Sequence, residues 1–111
     1  MGSTEELELY RLKAELCKTF GDAKRLMLIN GLRSDEKLVG DLAREIGVSQ
    51  AVVSRHLAVL RHRGIVIARR AGKHVYYRLA DPKIANACDL VHEVLLNQLT
   101  KNTKLAEKMV D

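Results

Sequence analysis

The chain is poor in aromatic residues, at 4% of its 111, and has a single Pro. Composition of this kind favours helices over a β-sandwich. No apolar run approaches the roughly 18 residues that a membrane span needs. The start, "MGSTEELELY", is acidic where a secretory signal is basic. Two Cys in a chain without such a signal read as cytosolic thiols, so the expected location is cytoplasmic. Also missing are a Gly-rich phosphate loop, a nucleophile elbow and paired carboxylates framing a pocket. An enzyme is therefore not expected, and neither is a cofactor.

A further absence is local. Ile46 to Ala80 holds Arg55, Arg61, Arg63, Arg69, Arg70, Lys73 and Arg78, but no Asp or Glu. His56, His62 and His74 fall in the same stretch. The net charge of +5 is thus concentrated in one block. Such a block is an electrostatic footprint for a polyanion. Charge alone leaves a solvated basic face as an equal alternative.

What is present is mostly helical periodicity. "EELELYRLKAELCKTF" aligns Leu9, Leu12, Leu16 and Phe20 on one stripe. Asp22 suits the N-cap of a helix from Ala23 to about Arg33, with Leu26, Ile29 and Leu32 inward. "RSDEK" is a polar turn, and "LVGDLAREIG" predicts a short helix closed by Gly47. Ser49 caps the next helix, which Gly64 ends. The period then falls to two in "GIVIARRAGKHVYYRL", a hairpin turning at Gly72. Asp81 and Pro82 open a last helix, with Ile84, Ala87, Val91, Val94, Leu95 and Leu99 on its apolar stripe. The fold class is mainly α with a small β-hairpin: a winged helix-turn-helix in one domain. The expected division is residues 38–79 for the helix-turn-helix and wing, 8–33 and 81–105 for the flanking helices, and a disordered 1–5.

At 100° per residue, Val53, Leu57 and Leu60 cluster on one side of the helix after Ser49. Ala51, Arg55, Ala58 and His62 lie opposite, with Gln50 and Ser54 on a flank. Small residues let such a face approach groove walls, Arg can bond guanine and Gln can bond adenine. The first turn, Ser49 to Ala51, would meet phosphates or base edges. Arg69, Arg70, Lys73 and His74 would sit at or beside the hairpin tip, where they could reach phosphates or the adjacent minor groove. A charged tip that only blunts a strand edge is the plainer alternative.

"VSRHLAVLR", the "GIV" exit, "GKHVYYRL" and the preceding "FGDAKRLMLINGL" together resemble the ArsR/SmtB family of repressors, over about residues 8 to 100. The resemblance implies a homodimer built from the first and last helices, with two recognition helices on a palindromic double-stranded DNA operator. It also implies metal sites that can be checked. Arsenic-type members carry C-V-C-D-L-C where this chain reads "LVGDLA", so Leu38, Gly40 and Ala43 replace the thiols. Of the zinc-type ligands only Asp81 matches; Lys83, Val94 and Asn97 occupy the rest. Neither metal site is expected. Cys17 and Cys88 remain as a candidate redox switch, and Cys88 with His92, helped by Asp89 or Glu93, as a weak metal candidate. Ordinary structural cysteines are the alternative. A winged-helix protein-interaction module is the other functional class, but it would need neither the acid-free block nor the small residues on the reading face.

Overall fold

The computed structural model describes residues 3 to 110. It contains α1 (Thr4–Thr19), α2 (Ala23–Gly31), β1 (Lys37–Leu38), α3 (Val39–Ile46), α4 (Gln50–His62), β2 (Val66–Ala71), β3 (His74–Leu79) and α5 (Lys83–Val110). Helix starts follow the capping residues. Asp22 accepts hydrogen bonds from the amides of Lys24 and Arg25, Ser49 from that of Val52, and Asp81 from that of Lys83. Gly47 and Gly64 follow α3 and α4 with φ of 71° and 76°, the left-handed conformation that glycine adopts without strain.

Three expectations need correction. Residues 4 and 5 are not disordered: they form the first turn of α1, and Ser3 caps it by accepting from the Glu6 amide. Residues 1 and 2 lie outside the described residues. Leu26, expected inward, is exposed, and Leu28 takes the buried place on α2 beside Ile29 and Leu32. Leu38 is not helical. With Lys37 it forms a two-residue strand, too short to have a period of its own.

That strand pairs Lys37 with Tyr77 and Leu38 with Tyr76, making the hairpin a three-stranded antiparallel sheet of order β1-β3-β2. The core lies where α2, α3, α4, the root of the sheet and the start of α5 converge. Leu28, Leu42, Val53, Leu57 and Leu60 are wholly buried there. Among the described residues of α5, Ile84, Ala85 and Cys88 join it.

The terminal helices reach away from this core. The radius of gyration is 17.6 Å, against about 13 Å for a compact domain of this length. The chain exposes 8442 Å², where a compact 12.5 kDa monomer would expose about 6,200 Å². Much of the excess is apolar: Leu7, Leu9, Leu12 and Leu16 on α1, and Leu90 to Leu99 on α5, stand open. Among the described residues, no helix is long and apolar enough to cross a membrane.

Leu57 is the centre of the α4 stripe and has no exposed surface. Leu57→Ala is expected to lower stability by about 2–5 kcal/mol in urea unfolding, through lost burial and the cavity left behind.

Candidate nucleic-acid interface

The amphipathic division of α4 places the reading face. Val53, Leu57 and Leu60 are buried, which turns Gln50, Ala51, Ser54, Arg55 and His62 outward. Ser49, Arg69, Arg70, Lys73 and His74 are exposed as well. The turn between α3 and α4 sets the start of α3 against the start of α4. An open cleft of about 440 Å³ results, in which Gln50 and Ser54 face Lys73 and His74 of the wing. Gly40 and Arg44 of α3 line the same cleft and are not among the residues picked from the sequence. No local signal in the sequence marks them, because the angle between α3 and α4 brings them to the cleft. A Cβ at Gly40 would come within 3.2 Å of the Gln50 side-chain Nε2, so the missing side chain leaves Gln50 its room. Arg44 is turned onto Asp41 of its own helix.

The two faces of the wing differ. Val66 pairs with Leu79, Ala68 with Tyr77 and Arg70 with Val75. Directly opposed residues share a face, so these six lie on the side that packs on the core and lines the cleft. Ile67 and Arg69, with Arg78 and Tyr76, lie on the reverse, and Ala71 and His74 close the ribbon at its tip, where His74 also borders the cleft. Arg69 is not at the tip. It stands opposite Tyr76, and its guanidinium is held by Glu36. The block is thus acid-free in sequence but not in space, since Glu36 reaches Arg69 and Glu15 reaches Arg63 at 3.3 Å. Among the described residues, Arg55, Arg70 and Lys73 have no acidic side chain within 4 Å. Arg61 of α4 and Arg78 on the reverse face also form no ion pair among the described residues, so unpaired charge runs along α4 and onto both faces of the wing.

Comparison with known proteins points the same way. The family model for bacterial regulatory proteins of the arsR family matches residues 22–68. Rv0081, an HTH-type transcriptional regulator of Mycobacterium tuberculosis, is 33% identical over 95% of this chain and 93% of its own. The chain belongs to the ArsR family. It is a DNA-binding transcriptional regulator. The crystal structure of Rv0081 matches this ArsR-family fold with a TM-score of 0.77 at 34% identity, over 86% of this chain and 96% of that one. A homodimeric winged helix-turn-helix DNA-binding domain from Mycobacterium bovis matches with a TM-score of 0.76 at 29% identity, over 86% and 88%. The biofilm growth-associated repressor of Xylella fastidiosa is 39% identical over 77% of this chain and 75% of its own.

The thiols of this ArsR-family chain do not form a pair within it. Cys17 is free and exposed on α1, and Cys88 is free and half-buried on α5. Burial pushes the Cys88 thiol up, which reduces the thiolate that oxidation requires. Cys88 instead packs on the core as a small apolar group. The metal candidate beside it also loses a ligand. Asp89 is held by Arg33 through two hydrogen bonds, at 2.6 and 3.2 Å, which tie α5 to the end of α2.

The same fork of hydrogen bonds holds the Asp89 carboxyl below the usual carboxylate range, and Arg69 does likewise for Glu36. A depressed folded value means stability that is present above the unfolded value and lost as pH falls through the folded one. Glu36→Gln with Asp89→Asn should therefore lower the thermal midpoint at about pH 7, and its deficit against wild type should shrink towards about pH 3.

Proposed function

We propose that this regulator is a homodimeric repressor, acting in the cytoplasm, that lays two copies of α4 into successive major grooves of a palindromic operator. Gln50, Ser54 and Arg55 read base edges. Ser49 and Ala51 at the first turn and His62 at the far end of α4 lie along the groove wall. Arg70, Lys73 and His74 bring the wing to phosphates, while Arg69, its guanidinium held by Glu36, supports the wing from its reverse face. The observation that carries this reading is the cleft, in which hydrogen-bonding side chains of α4 face the wing beside Lys73, which has no acidic side chain within 4 Å among the described residues.

The dimer is supported by surface. The chain exposes about 2,200 Å² beyond what a compact monomer would, and obligate dimers hide interfaces of this scale. The apolar stripes on α1 and α5 supply it. Leu95→Asp is expected to shift sedimentation equilibrium from dimer to monomer. Because the two half-sites are then no longer linked, operator affinity should fall by about a hundredfold.

Operator duplexes can be selected from a random-sequence pool by the wild-type chain. On them, Arg55→Ala should cost about 1–3 kcal/mol and relax one base position in each half-site. Intact affinity and intact sequence preference in that variant would remove α4 from the reading role.

A further inference from the structure

Arg69 combines features that a phosphate contact does not need. It lies on the reverse face of the wing with Tyr76. Its Nε and Nη2 donate to the two carboxylate oxygens of Glu36, at 3.1 and 2.5 Å. Its guanidinium carbon stands 4.8 Å from the centre of the Tyr76 ring. Glu36 immediately precedes β1, at one edge of the sheet, while Arg69 is on β2 at the other. The two edges are two strand spacings apart, about 10 Å. Arg69 spans that distance by passing over Tyr76 of the middle strand. The edge of the His74 ring also approaches Tyr76, with ring centres 6.4 Å apart.

The position matters because of where β1 stops. It pairs only with Tyr76 and Tyr77. Outward of Tyr76 the wing is a two-stranded ribbon, Arg70 to Val75, which contains Lys73. A lone two-stranded ribbon is marginal in water. Arg69 lies at the rung where three strands become two, and Glu36, two residues before Leu38 of that rung, holds it diagonally from nearer the root of the sheet. An exposed ion pair is usually worth little, but a bidentate fork stacked on an aromatic ring is the geometry in which it counts.

We propose that Arg69 is a positioning residue for DNA binding: with Tyr76 and Glu36 it forms a strap across the sheet that sets the direction of the wing, and it makes no phosphate contact itself. The proposal rests on the DNA-binding role of the wing. Glu36 is then a determinant of operator affinity although it is an acid facing no DNA. The loop before β1 becomes part of the DNA-binding machinery through it.

The test compares Arg69→Gln, Glu36→Gln, the two combined, and Lys73→Gln. Binding to duplexes selected by the wild type is measured across a salt series, and amide hydrogen exchange is measured on the free proteins. The strap predicts that both single variants weaken binding by about two- to fivefold and that the double variant is no weaker than either. It also predicts wild-type salt slopes for all three and faster exchange over residues 70–75. Lys73→Gln, by contrast, lowers the slope by about one. Glu36→Arg with Arg69→Glu restores part of the lost affinity, which a phosphate contact at Arg69 would not allow. The proposal is overturned if Arg69→Gln lowers the slope as Lys73→Gln does while Glu36→Gln leaves binding unchanged or tighter. Unchanged wing exchange in Glu36→Gln also overturns it, even if Arg69→Gln fails to fold. An unaltered slope in Lys73→Gln would instead strike the phosphate role of the wing, and the exchange result would still decide the strap.

Discussion

The burial of one side of α4 organises everything else in this molecule. Val53, Leu57 and Leu60 sit at the meeting point of α2, α3 and the root of the sheet. A helix has only one way to bury such a stripe, so its opposite side is committed to solvent or to a ligand. The caps at Ser49 and Gly64 then define where that outward face begins and ends. Ile65 and Val66, buried directly after the helix, draw the chain into β2 and fix the wing beside it. The cleft between α4 and the wing is therefore a consequence of core packing and needs no ligand to hold it open.

Charge is arranged on top of that frame by distant residues. The basic block contains no acid of its own, yet Glu15 from α1 and Glu36 from the loop before β1 fold onto two of its arginines. Among the described residues, those of the block left without an acidic side chain within 4 Å are Arg55 and Arg61 on α4, with Arg70, Lys73 and Arg78 on the wing. Pairing at Arg63 and Arg69 thins the positive field at those two points, while the unpaired cations along α4 and the wing remain to steer a polyanion. Arg33 and Asp89 perform a different task at the other pole, tying α5 to α2. Because α5 carries the exposed apolar stripe, this tie fixes the direction of the proposed dimer surface relative to α2.

Local chemistry was the legible part of the sequence. The caps at Asp22, Ser49 and Asp81, the left-handed Gly47, the buried stripe of α4 and the change of period at the hairpin all depend on neighbours within a few residues. Features that depend on the rest of the chain were not legible. Leu26 and Leu28 are both apolar on α2, and only the packing of α3 and α4 decides which is buried. A strand of two residues, Lys37 and Leu38, has no period and exists only because β3 offers an edge. Arg69 looked like its neighbour Arg70 because nothing local says that Glu36, 33 residues earlier, folds across the sheet onto it. Gly40 and Arg44 entered the cleft through the angle between two helices, which composition does not reveal.

The central claim is that α4 enters the major groove twice, on one face of the DNA, with the wing on the flanking backbone. Methylation interference on a selected duplex tests it most directly, since guanine N7 lies in the major groove and adenine N3 in the minor groove. The account predicts that N7 methylation blocks binding in two symmetric clusters whose centres lie about one helical turn, or a multiple of it, apart. Interference confined to adenine N3, or a single unsymmetric cluster, would contradict it.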